Sequence, residues 1–262
     1  MNRPGRILAL ATVTLAALCA AVPVSALGKV AGRHSRACSH RPAAAHTHHR
    51  AHACRAARHR TRTHREAARP SSAPRAARVR SRARAGVLSL RSAREASVQQ
   101  ALATPCLHTE LTPNAENLQL IRDAIQCLVN KQRAQHGEAP LLASAQLQAA
   151  ARSHAEDMIA GDYFEHVSPS GVTPVDRMRA SGYIPNEQVG YVVGENLAWG
   201  TLSLSTPQAI VAAWVASPGH LANILESHYV ETGIAVVPSV PASLAEGAAG
   251  ATYAQEFGVI VH

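Results

Sequence analysis

Aromatic residues make up only 3% of this 262-residue chain, and none lies between residues 27 and 105. The same stretch has almost no large apolar side chains. It carries just two acids, Glu66 and Glu95, against 18 lysines and arginines, a net charge of +16. A segment so poor in apolar bulk cannot bury enough surface to offset its chain entropy, which excludes an independent packed domain. The lack of aromatics excludes base stacking, so contact with nucleic acid would be electrostatic only and is disfavoured. The chain also lacks C-x-x-C pairs, an H-E-x-x-H helix and a G-x-S-x-G elbow, so a zinc ribbon, a zincin and an α/β-hydrolase nucleophile find no support.

Residues 1–26 supply a positive start (MNRPGR), an apolar run (ILALATVTLAALCAAV) and the small-residue site Val24-Ser25-Ala26. That order reads as a secretory signal peptide cut after Ala26. The run is too short and too rich in alanine for a permanent span. Export takes Cys19 away and leaves Cys38, Cys54, Cys106 and Cys127, an even number suited to disulfides in an oxidising compartment. Proximity favours Cys38 with Cys54 and Cys106 with Cys127, although four cysteines allow three connectivities.

Charge then divides the chain. Residues 27–105 read as a disordered Arg/His/Ala-rich arm. Its basic charge suits anionic envelope polymers or lipid head groups, and its eight histidines, His46, His48, His49 and His52 among them, suit a metal. The plain alternative is a solvated spacer. Residues 106–262 hold 6 basic and 15 acidic residues, a net of −9.

Helical periodicity begins in that second part. Leu118, Ile121, Ile125, Leu128 and Val129 recur at helical spacing between Pro113 and Gly137. A second helix runs between Ser144 and Gly161. It places His154 on an apolar stripe, which predicts a buried, hydrogen-bonded structural histidine. A short helix is expected near 174–180, and another in STPQAIVAAWVA, stopped by Pro218, with one more turn in HLANIL. GENLAWG, residues 194–200, reads as a loop or short strand between glycines. TGIAVVP and ATYAQEFGVIV read as strands. Helices on a small sheet predict a layered α/β domain.

Three ionisable residues stand in apolar company: His166 in YFEHVSP, Glu195 in GENLAWG and His220 in SPGHLANIL. A carboxylate in such surroundings requires a partner. Two imidazoles and a carboxylate can ligate zinc or a similar ion, or handle protons.

These motifs, together with NKQR, FEHVSPSG, AAWVASPGHLANIL, TGIAV and YAQEFG in this order, resemble the CAP superfamily over roughly residues 114–262. That family comprises SCP-like domains, cysteine-rich secretory proteins, antigen 5 and pathogenesis-related 1 proteins, and the bacterial secreted branch is the nearest in pattern. The resemblance implies an α-β-α sandwich with a central cleft holding two histidines and two acids, sometimes with a divalent metal such as zinc. His166, Glu195 and His220 match three of the four positions. Ser217 stands where animal and plant members carry the second acid, and Glu231 is the candidate to replace it.

The resemblance implies an extracellular module that binds a small lipid or peptide and is expected to be monomeric. The competing readings are a metal-dependent or Ser217-based hydrolase and an envelope-associated structural protein anchored by the arm. Ser217 precedes Pro218 at a helix end, which is an ordinary place for a serine.

Overall fold

The computed structural model describes residues 26–27 and 73–261, with side chains from residue 86 onward. The proposed Cys38–Cys54 pair, the arm histidines and most of the signal segment fall outside the described residues. The chain divides into two compact units, one of residues 32–90 and one of residues 1–31 with 91–262.

Of the first unit the described part is the beginning of α1 (Ala73–Ala103). This helix occupies residues read from composition as disordered. Alanine and arginine are strong helix formers, so local propensity supports a helix even where no core is available. From Arg91 onward α1 belongs to the second unit. Arg94 bonds the Gly137 carbonyl at 3.1 Å and Glu138 at 2.8 Å, and Val98 is buried. The compact unit therefore begins before the boundary expected at 106.

A mixed five-stranded sheet carries the second unit, in the order β1-β3-β5-β4-β2. Its strands are β1 (Ala26–Leu27), β2 (Leu142–Ala143), β3 (Gly190–Thr201), β4 (Glu231–Val237) and β5 (Gly250–Val261). β3 and β5 pair antiparallel over their full lengths, from Gly190↔Val261 to Thr201↔Gly250. β4 adds antiparallel to β5, and β2 adds parallel to β4. GENLAWG thus forms the middle of a twelve-residue strand rather than a loop.

Side chains alternate across this sheet. One face carries Ala198, Tyr253, Phe257, Ile234 and Val236. It packs against Ile121, Ile125 and Val129 of α2 (Leu118–Gln135), Ile210 and Trp214 of α5 (Pro207–Ala216) and Ile224 of α6 (Pro218–Leu225). The other face carries Val193, Leu197, Ala254 and Ala235. It packs against Leu147, Ala151 and Met158 of α3 (Ala145–Ala160) and Met178 of α4 (Pro174–Ala180). The result is the expected α-β-α sandwich. A four-residue turn of helix, α7 (Ala242–Ala245), lies between β4 and β5.

One helix boundary differs from the reading of local signals. α2 starts at Leu118 because Asn114 and Asn117 form side-chain turns with the backbone of residues 112–117. α5 ends at Ala216, ahead of Pro218 as expected, and Pro218 also opens α6, consistent with the preference of proline for the first turn. The Cys106–Cys127 disulfide is present, with Cα atoms 5.5 Å apart, and ties the lead-in segment to α2.

Candidate functional site, a buried carboxyl cluster

The segment HVSPSGVTPVDR builds one wall of the site. Ser168 Oγ accepts from the Val172 amide at 3.1 Å, and Gly171 adopts φ +87 to close the turn. Thr173 and Asp176 then form a reciprocal capping box that starts α4. The Asp176 carboxyl lies below its ordinary range because Thr173 donates to it from both side chain and backbone. Arg177 follows one residue later and turns inward. Its Nη1 donates to the Val172 carbonyl at 3.2 Å and its Nη2 to the His166 carbonyl at 2.9 Å, so one guanidinium clamps the whole turn.

Glu195 meets this wall from β3, on the face shared with Val193 and Leu197. It is wholly buried. Its Oε1 lies 2.7 Å from His166 Nδ1, and its Oε2 accepts from Arg177 Nη2 at 2.7 Å. His154 of α3 approaches Oε2 to 3.9 Å. The His154 ring is fully buried, with Nε2 2.9 Å from the Glu165 carbonyl, as expected for a structural histidine. Burial pushes the His154 ring below the usual imidazole range, with the Glu195 charge opposing.

The second acid at Glu195 is Glu256. The two residues are direct partners in the β3–β5 register and both are fully buried, and neither Glu256 carboxyl oxygen has a hydrogen-bond partner among the described residues. Burial, then the charge of Glu195, drive the Glu256 carboxyl well above the carboxylate range. Burial also pushes Glu195 upward, but the hydrogen bond with His166 and the charges of Arg177 and His154 outweigh it and hold Glu195 below that range.

The remaining expected residues stand apart from this pair. Glu231 accepts from the Tyr183 hydroxyl at 3.0 Å and is the partner of Gly258 rather than of Glu195. Ser217 is the half-buried junction between α5 and α6, and its side chain makes no capping bond. His220 is buried on α6, in the helical layer over the opposite sheet face, and its carbonyl accepts from Asn196 at 3.2 Å. Among the described residues no group of three or more His, Cys, Asp or Glu is arranged to hold a metal ion. His166 and Glu195 are brought together; His220, Glu231 and Ser217 are not joined to them in such a group.

A divalent ion, which the family pattern admits, does not fit the residues present at Glu195. Both carboxylate oxygens are engaged, one of them by a guanidinium. His166 has committed Nδ1 to the same carboxylate, and its Nε2 is buried without a hydrogen-bond partner.

Arg177 and Glu256 are the residues the sequence reading missed. The signal for Glu256 was the two-residue alternation of β5, which places it on the same face as Ala254. Its pairing with Glu195 depends on strand register. Arg177 gave no signal beyond a basic residue in a short helix.

The outer edge of β3 explains the neighbouring motifs. Trp214 Nε1 donates to the Leu197 carbonyl at 3.0 Å, and Asn223 Nδ2 to the Glu195 carbonyl at 3.0 Å. Side chains from the AAWVASPGHLANIL run therefore satisfy strand carbonyls that β1, pairing only at residues 192 and 193, leaves open.

A three-layer domain with a buried His–Glu–Arg cluster and one disulfide is the class so defined. Residues 127–242 match the model of the family described as "CAP: Cysteine-rich secretory protein family". The chain is 35% identical over 113 residues to the uncharacterized protein YkwD of Bacillus subtilis (strain 168), covering 43% of this chain and 40% of that protein. It is 33% identical over 109 residues to the uncharacterized membrane protein YlbC of the same organism, covering 42% and 29%. It thus spans less than half the length of these curated relatives. A solved extracellular protein containing a SCP domain from Bacillus anthracis str. Ames aligns with TM-score 0.40 and 27% identity, over 54% of this chain and 39% of that one. No helix among the described residues is long and apolar enough to cross a membrane.

Proposed function

We propose that this chain is exported and works outside the cytoplasm as an interaction module that takes a small lipid or peptide ligand, with the basic arm adding affinity for anionic envelope surfaces. The observation that carries this reading is the sealing of the ionisable cluster. Glu195 is fully buried and charge-paired, so its work is to hold β3, α3 and α4 together while binding falls to the surface. The groove between α2, α3 and β4 offers about 510 Å³, within the range of ligand pockets. Val236 and Pro238 are among its apolar lining, and Arg122 and Arg152 stand among its polar lining.

The test is recovery of bound material from the full exported chain by mass spectrometry. A defined lipid or peptide should be recovered with the wild type and lost with Gln148→Trp, which fills the groove. Equal recovery from both would remove the groove from the proposal. Binding to anionic polymer should weaken steeply with salt and vanish on deletion of residues 32–90.

The hydrolase reading rests on one feature, the His166–Glu195 dyad, whose geometry resembles an oriented base. If it is catalytic, Glu195→Gln abolishes turnover. Any hydrolysis retained in that variant removes the assignment.

A further inference from the structure

We propose that Arg177 supplies, from within the chain, the positive charge that a divalent ion would supply at Glu195, so that this domain holds its fold without metal. The inference goes beyond the reading of the chain as an interaction module.

Arg177 is itself almost fully buried, and each of its three described bonds is to a group that defines the site. Nη2 lies 2.7 Å from Glu195 Oε2 and 2.9 Å from the His166 carbonyl, while Nη1 lies 3.2 Å from the Val172 carbonyl. One rigid fork thus fixes the acid, the backbone of the histidine and the turn between them. Guanidinium geometry suits such fixed, simultaneous contacts and stays charged on burial. An ionised carboxylate with no exposure requires a cation or donors of this kind.

The same contacts oppose a metal. An ion on Glu195 would displace Arg177, or place two cations side by side where the local dielectric screens poorly. The ring nitrogens nearest the acid are committed, His166 Nδ1 to Glu195 and His154 Nε2 to the Glu165 carbonyl, which leaves only His166 Nε2 and His154 Nδ1 without a hydrogen-bond partner. The capping box at Thr173 and Asp176 anchors the start of α4 and with it the position of Arg177, so the cation is delivered by local sequence, five residues after the Val172 carbonyl that it binds.

The experiment uses the full chain. Metal content is measured on protein from its native source, and melting is followed after chelator dialysis and after addition of zinc, calcium or magnesium. The wild type should carry no metal that Glu195→Gln loses, and should melt at the same temperature throughout. Arg177→Gln should melt about 10 °C lower, the loss expected for a broken buried ion pair in a domain of this size. Adding Glu195→Gln to that variant should recover part of the loss, because removing the anion removes the need for the cation. A wild type that holds an ion lost in Glu195→Gln, or whose melting temperature rises with any of the three ions, overturns the proposal, as does a double variant no more stable than Arg177→Gln. If Arg177→Gln yields no folded protein, a folded double variant supports the proposal and an unfolded one counts against it.

Discussion

Glu195 and Glu256 stand opposite each other at one register position of the β3–β5 pair, both fully buried, and their carboxyl groups are driven to opposite sides of the ordinary carboxylate range. Burial and the neighbouring charge raise the Glu256 group above its unfolded value, so its favourable share of stability is complete below that unfolded value and is lost as pH rises through the folded one. Glu256→Gln is neutral at every pH and needs no proton. The variant should match or exceed wild-type stability at neutral and alkaline pH, and the fall in stability on the alkaline side should flatten by about one proton. Urea titrations of both proteins across that range check this.

On the acid side the sign reverses. Glu195 and Asp176 are held below their unfolded values, so they stabilise the fold above those values and cease to do so as pH falls through the folded ones. Stability should therefore drop below about pH 4, where free carboxylates begin to protonate. Thr173→Ala, which removes the hydroxyl donor to Asp176 and the acceptor for the Asp176 amide, should shift that drop toward higher pH and cost about 1 kcal/mol at neutral pH. Thermal melts along a pH series measure both.

Gly233 and Gly194 should respond differently to alanine. A Cβ on Gly233 would lie 2.0 Å from the Gln148 amide nitrogen, in the backbone of α3, which cannot yield without moving the helix. At Gly194 the obstacle is the Tyr229 hydroxyl at 2.2 Å, the end of a side chain. Gly233→Ala is expected to cost about 3 kcal/mol and Gly194→Ala about 1 kcal/mol, by chemical denaturation. Equal costs would mean that Tyr229 is as immovable as α3.

Arg133, in the NKQR motif, is fully buried and serves backbone carbonyls rather than a carboxylate. It donates to Ala139 at 2.8 Å, Ile224 at 2.6 Å and Glu226 at 3.0 Å, which fixes the end of α6 against α2. Arg133→Met should leave those carbonyls unsatisfied and destabilise the domain by about 3 kcal/mol. Amide exchange in residues 218–226 should rise first.

Cys106 and Cys127 close a loop with a sequence separation of 21. Replacing both by serine should lower stability by about 3 kcal/mol, the chain-entropy expectation for a loop of that length. The same loss should follow reduction of the wild type.

Much of the fold was legible because periodicity records burial. The spacing of Ile121, Ile125 and Val129, and the strand character of TGIAVV and ATYAQEFGVIV, follow from which faces must leave water. GENLAWG was less legible. Its strand residues are buried on both faces, so no alternation marks it, and its flanking glycines suggested turns. Those glycines serve instead to admit the Tyr229 hydroxyl at Gly194 and the Leu204 carbonyl at Gly200. Residues 73–103 misled in the opposite sense, since composition describes the lack of a core but not the helix preference of alanine and arginine.

The site was half legible for a similar reason. An acid amid apolar neighbours announces that it has partners, and His166 lies at hydrogen-bond distance from it. Arg177 and Glu256 were not, because their surroundings in sequence are unremarkable and only register and helix placement bring them to Glu195.

The amino-acid sequence by itself determined the layered α/β class, the helices that cover the sheet, and the need of Glu195 for company, since burial and the cost of a lone charge act on residues wherever they stand in the chain. Tertiary structure alone decided that the cation is Arg177 and that the acid facing Glu195 across the register is Glu256. Contacts between residues 18 and 61 positions apart in sequence depend on how strands pair and helices seat, and no local pattern encodes those distances.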